Sequence, residues 1–150
     1  MEFRKLSDNQ VVDLVSYVKD YLTTHPNHEI YIGCDSQNAK RDTRYGVVVV
    51  LYAKGKGGHV LYAKDTKALI RDRFTRLWGE VELSIEIATY LRSNDIDRTV
   101  FIDLDLNPDP KYKSNQVLRS AMGYVEGMGF KVRIKPNAVM ASYVADTLVK

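Results

Sequence analysis

The sequence has a single cysteine, Cys34, so no disulfide can form within the chain. That usage fits a reducing compartment, and a cytoplasmic location is the expectation. No run of 18 apolar residues occurs anywhere, which excludes a membrane-spanning helix on length alone. The opening Met-Glu-Phe-Arg-Lys has no apolar stretch of the kind a secretion signal needs. Repeats and low-complexity segments are absent. A zinc cluster is not expected either, because His25 and His28 straddle Pro26 and no further Cys or His completes a set. Lys54-Gly55-Lys56-Gly57-Gly58 is glycine-rich but lacks the G-x-x-x-x-G-K-[ST] spacing, so it predicts a hairpin turn and not a phosphate loop. Nor does one sign of charge dominate. The 22 basic and 19 acidic residues leave a net +3, too mild by itself to indicate a nucleic-acid binder.

What remains is an ordinary globular composition, 45% hydrophobic and 27% charged, over 150 residues. That length predicts one domain over 1–150, with residues 1–28 an N-terminal helical extension. Ser7 or Asp8 can cap a helix starting near Asn9, since Val11, Leu14, Val15, Val18 and Leu22 share one helical face. His25-Pro26-Asn27 stops it. Residues 29–34 predict a strand, 37–44 a polar loop, and 46–53, with four consecutive valines, a strand buried on both faces. Residues 59–64 predict its hairpin partner. A long helix follows over 73–93, with Phe74, Leu77, Val81, Ser84, Ile85 and Ala88 facing inward. Residues 98–106 alternate, with Phe101, Asp103 and Asp105 on one side, so they predict a strand with a carboxylate face. A helix from Ser114 to Met128, a fifth strand over 130–134 and a final helix over 138–150 complete the order. Three strands in direct succession suit an antiparallel meander, and the last two, joined through helices, suit parallel pairing. The expected fold is a mixed five-stranded α/β sheet with helices on both faces.

This order can gather acidic residues. Asp35 ends the first predicted strand, Glu80, Glu82 and Glu86 lie on the long helix, Asp103 and Asp105 on the fourth strand, and Asp146 on the last helix. Clustered carboxylates repel one another unless a cation neutralises them. Several hard oxygen donors are what Mg²⁺ or Mn²⁺ requires in two-metal phosphodiester cleavage.

The chain resembles the ribonuclease H-like superfamily, and within it the YkuK-like branch of bacterial proteins. The segments that carry the resemblance are Ile32-Gly33-Cys34-Asp35-Ser36-Gln37, Asp105-Leu106-Asn107-Pro108, residues 123–130 (GYVEGMGF), Lys135-Pro136 and residues 141–146 (ASYVAD). The first motif of that branch usually has Thr where this chain has Cys34. The resemblance implies a ribonuclease H-like fold and a metal-dependent nuclease acting on RNA, DNA or hybrid, with Mg²⁺ or Mn²⁺ as cofactor. It implies Asp35, Glu80, Asp105 and Asp146 as catalytic metal ligands. Glu80 precedes the first inward apolar residue, Val81, as the superfamily's helix glutamate does, and Glu82 is the reserve. Ser36, Gln37 and Lys135 are candidate substrate contacts. The alternative is a non-catalytic nucleic-acid-binding or scaffold module on the same fold.

Plainer roles stand beside these. Asp35 can cap a turn, Asp146 can be a surface acid, and Asp103 suits a neighbour on the same face better than a ligand. Cys34 points away from Asp35 by strand alternation and predicts a buried structural thiol. Arg71, Arg73, Arg76, Lys64 and Lys67, near Phe74 and Trp78, can grip phosphates or be a solvated helix start. Lys111, Lys113, Arg119, Lys131, Arg133 and Lys135 form a second basic set of the same kind.

Overall fold

A computed structural model describes residues 1–106, 111 and 115–134. Its elements in chain order are β1 (Phe3–Lys5), β2 (Val11–Val12), α1 (Leu14–Thr24), β3 (Glu29–Asn38), β4 (Asp42–Tyr52), β5 (Gly58–Ala68), α2 (Arg73–Ser93), β6 (Val100–Leu104), α3 (Asn115–Gly127) and β7 (Lys131–Ile134). The strands form one mixed sheet in the order β2-β1-β5-β4-β3-β6-β7. As the sequence predicts, β3, β4 and β5 are an antiparallel meander, and β6 and β7 add in parallel beside β3.

The sheet has seven described strands where five were expected. Of the two extra ones, β2 comes from Val11 and Val12, which the periodicity assigns to the start of a helix, and β1 from residues that precede it. Asp8 Oδ1 accepts from the Gln10 amide at 2.9 Å, and Asn9 takes a left-handed φ of 62°, so the chain turns there. β1 then pairs with β5 through Arg4↔Tyr62 and Lys5↔Leu61. The helix begins only at Leu14, with Asp13 as its N-cap accepting from the Ser16 amide. Leu14, Val18 and Leu22 are buried, whereas Val11 is exposed on β2.

The β3–β4 hairpin is longer than hydrophobicity suggests. Residues 37–44, expected as a loop, continue the ladder through Gln37↔Arg44 and Asn38↔Thr43. Side chains replace the apolar core there: the Thr43 hydroxyl donates to Asn38 Oδ1 at 2.6 Å and accepts from the Ile70 amide at 2.8 Å. Asp35 is therefore inside a strand and not at its end.

The four valines Val47–Val50 divide between two apolar layers, as expected for a strand buried on both faces. Val47 and Val49 join Ile30, Ile32, Cys34 and Ile102 on one face. Val48 and Val50 join Tyr31 on the other. Among the described residues all three helices contribute their buried side chains to the first layer. The final helix expected over 138–150 lies outside the described residues.

α2 is fixed on the first face by a close approach. Tyr45 is buried, its hydroxyl donates to the Arg76 carbonyl at 3.0 Å, and a Cβ on Gly79 would fall 2.3 Å from that hydroxyl. In an open helix Gly→Ala stabilises by about 1 kcal/mol. Gly79→Ala is expected to destabilise instead, by about 1–3 kcal/mol in urea unfolding, because neither ring nor helix has room to give. Tyr45→Phe added to it should recover part of the loss.

At the other end of the sheet His25, His28 and His59 gather around Tyr17 and Tyr21. His25 stacks on Tyr21 at 3.9 Å, His28 meets His25 edge-on at 4.8 Å, and the Tyr17 hydroxyl lies 2.7 Å from His59 Nδ1. His28 is 2% exposed, and neither of its ring nitrogens has a hydrogen-bond partner among the described residues. Burial, then the charge His25 carries when protonated, hold its pKa below the ordinary value. Burial also lowers His59, and Lys5 adds to that effect. Both groups resist protonation in the folded state, so stability is complete above pH about 6.5 and falls as pH drops through that value. A lower urea midpoint at pH 5.5 than at pH 7.5 is expected, with the difference reduced in His28→Phe.

Candidate active site

The parallel register Ile32↔Ile102 and Gly33↔Asp103 sets the last residues of β6 beside the middle of β3. Asp35 follows Gly33 by two residues and Asp105 follows Asp103 by two, so the two residues lie at the same level along neighbouring chain segments, Asp35 inside β3 and Asp105 just past β6. Each is half-buried. The first turns of α2 lie over this level, because α2 starts from the end of β5 and runs back across β3. Asp72 caps it, accepting from the Thr75 amide at 2.9 Å and the Thr75 hydroxyl at 2.6 Å.

Two turns in, Glu80 points inward and is 7% exposed. Its carboxylate Oε2 accepts from the Ser36 hydroxyl, on the residue after Asp35. Glu80 also lines a small cavity with Cys34, Leu77, Asp105 and Leu106. Its pKa is pushed up to about 8. Burial is the main cause; the Ser36 hydrogen bond and Arg76 pull it down, while Asp35 and Asp105 push it up. Glu80 therefore lies within electrostatic reach of both aspartates. Glu82 and Glu86, on the same helix, are exposed.

Of the four expected acidic positions, Asp35 and Asp105 lie on or just past neighbouring strands and Glu80 lies on the helix packed over β3, with Asp35 turned by alternation to the face opposite Glu80; Asp146 lies outside the described residues. So does Lys135. Gln37 is exposed near the tip of the hairpin. Ser36, expected to face substrate, is buried: its hydroxyl is held between Glu80 and Arg76, whose Nη1 donates to both the Ser36 hydroxyl and its carbonyl at 2.9 Å.

Asp103 has a different partner. It is fully buried, and Arg133 of β7 grips it with two parallel bonds of 2.7 Å, Nε to Oδ1 and Nη2 to Oδ2. The Arg133 guanidinium also lies 4.3 Å from the centre of the Tyr31 ring. Burial opposes its charge, but the Asp103 bonds outweigh that and raise its pKa. Arg133 therefore leaves the set of candidate phosphate contacts. Arg76, bound to Ser36, is similarly committed. Lys113 lies outside the described residues, while Lys111 and Arg119 are exposed. Cys34 is buried as expected, and burial with the nearby Glu80 and Asp35 charges pushes its thiol well up, which keeps it unreactive.

The donor types suit a hard divalent cation by their chemistry: Asp35 and Asp105 come from neighbouring strand segments and the nearly buried Glu80 from the helix packed over β3. Among the described residues no three ligating side chains already surround a common point. Glu80 is turned onto Ser36. Among the same residues no helix is long and apolar enough to cross a membrane.

A family model described as Ribonuclease H-like matches residues 11–150. Among solved structures, the chain is similar to the crystal structure of RNase H1 from the halophilic archaeon Halobacterium salinarum NRC-1. The identity is 18%, over 80% of this chain and 93% of that one, with a TM-score of 0.46. No curated protein sequence matches the chain.

Proposed function

Because the chain belongs to the ribonuclease H-like family, we propose that it is a metal-dependent nuclease that hydrolyses phosphodiester bonds of nucleic acid at the Asp35–Glu80–Asp105 site. One observation carries this: a nearly buried glutamate on α2 shares a cavity with Asp105 and is tied to the neighbour of Asp35. Gathering like charges in one buried place costs stability, and a bound cation is what offsets that cost.

Asp35 and Asp105, from adjacent strands, would share the metals. Glu80 would hold one of them from the helix side, and Asp146 would complete the ligand set. Mg²⁺ or Mn²⁺ bound there supplies Lewis-acid stabilisation and an activated water. Asp35 within β3 and Glu80 within α2 would present their carboxylates from regular elements, and Asp105 from the residue just past β6.

Charge distribution supports a polyanionic substrate. Residues 39–76 hold ten basic and three acidic side chains, so the remainder of the chain is net acidic. Of these cations, Lys40, Arg41, Lys64, Lys67, Arg71 and Arg73 are exposed on the β3–β4 connection, the end of β5 and the segment entering α2. The strand order puts all three at the same end of the sheet as Asp35. A near-neutral total therefore conceals a basic rim beside an acidic centre.

The test is incubation with labelled RNA–DNA hybrid, single strands and branched DNA, with Mn²⁺ and with a chelator. Cleavage of at least one substrate that requires Mn²⁺ is the expected result. Binding of these nucleic acids without cleavage under any metal condition would replace the nuclease with a binding module.

A further inference from the structure

We infer that Ser36 and Arg76 are positioning residues that set the Glu80 carboxylate for metal binding, an inference that rests on the metal-dependent function proposed above.

Glu80 lies on α2, whereas Asp35 lies on β3, so their relative placement depends on how helix and strand are tied together. Ser36 is the tie. It immediately follows Asp35, and strand alternation turns its side chain to the α2 face while Asp35 takes the other. A serine hydroxyl has one proton to donate. Arg76 Nη1 donates to the Ser36 oxygen at 2.9 Å, which occupies a lone pair and leaves the hydroxyl proton for Glu80 Oε2. The same Nη1 also donates to the Ser36 carbonyl at 2.9 Å, so Arg76 is fixed to the β3 backbone and not only to a rotatable side chain.

Arg76 is placed in turn by its own main chain. It stands one helical turn before Glu80, and its carbonyl accepts from the Tyr45 hydroxyl of β4 at 3.0 Å. The chain of contacts Tyr45–Arg76–Ser36–Glu80 thus runs from the sheet to the carboxylate through a hydrogen bond at every link. Partners behind a ligand orient it and tune metal affinity, and their loss typically weakens binding roughly 10- to 100-fold. Ser36 and Arg76 hold Glu80 in this way, Ser36 directly and Arg76 through Ser36.

The experiment is Mn²⁺ titration by calorimetry of the full chain, wild type against Ser36→Ala, Ser36→Thr and Arg76→Met, with folding checked by circular dichroism. Ser36→Ala and Arg76→Met are expected to weaken Mn²⁺ binding roughly 10-fold or more, and Ser36→Thr, which keeps the hydroxyl, to stay nearer the wild type. Should Ser36→Ala not fold, Arg76→Met, at a half-buried position, makes the same comparison. Unchanged Mn²⁺ affinity in the folded variants, even with a lower melting temperature, would reduce both residues to structural ties and overturn the inference while leaving the metal site standing. Absence of Mn²⁺ binding in the wild type would remove the function it rests on as well.

Discussion

Asp35→Ala and Asp105→Ala are each expected to abolish Mn²⁺-dependent cleavage, a loss of about 1,000-fold or more, equivalent to about 4 kcal/mol of transition-state stabilisation. Both aspartates stand at the level where β6 ends beside β3, and the charges of both push the Glu80 pKa up. Removing either takes away a hard oxygen donor that no described neighbour replaces, because Glu82 and Glu86 face solvent and Asp103 is bound to Arg133. Folding should survive, since each is half-buried and its loss relieves repulsion on Glu80. The check is single-turnover cleavage beside a urea melt. Activity within threefold of the wild type would mean that these carboxylates do not carry the reaction.

The second large effect concerns the aspartate two residues earlier. Asp103→Ala is expected to cost about 3–5 kcal/mol of stability, because it leaves the Arg133 guanidinium partly buried with its bidentate partner gone. Its urea midpoint should fall accordingly, while Mn²⁺ affinity of the folded fraction stays unchanged. The pair is expendable as a pair: Asp103→Leu with Arg133→Met should recover most of the loss, since well-packed apolar residues replace buried ion pairs at little cost. Asp103 and Asp105 therefore separate cleanly by experiment, one acting on stability and the other on activity. A stable Asp103→Ala protein with lost metal binding would reverse the two assignments.

Strand alternation makes these two aspartates look alike, and this shows where the sequence stops being informative. Val100, Ile102 and Leu104 mark the inner face of β6 plainly, and the four valines mark a doubly buried strand. The long helix is legible for the same reason: its apolar spacing is sustained over many turns and Asp72 caps it. What decides between Asp103 and Asp105 is a partner 30 residues away on β7, which no local pattern encodes. The signal was present in a weaker form. Arg133 falls on the strand expected to pair beside β6, and an arginine inside a strand needs an acid near it.

The misjudged segments share one physical cause. Residues 3–12 and 37–44 are too polar to announce strands, because each contributes only isolated buried residues, such as Phe3 and Thr43, and satisfies much of its backbone through turns and side chains. Asp8 and Asn9 make the first turn, and Asn38 and Thr43 hold the second. Ser36 illustrates the same limit in the site. Its neighbour Asp35 suggested an outward role, but alternation sends it to α2, where Arg76 and Glu80 stand a helical turn apart to receive it. The spacing of Arg76 and Glu80 could have been noticed in the sequence; their convergence on Ser36 required the docking of helix on strand.

The most direct measurement is a crystal structure of the protein soaked in Mn²⁺, read by its anomalous scattering. The account predicts Mn²⁺ where β6 ends beside β3, with carboxylate oxygens of Asp35, Glu80 and Asp105 coordinating it. An empty carboxylate cluster in crystals saturated with Mn²⁺, or an ion bound only elsewhere on the molecule, would contradict it.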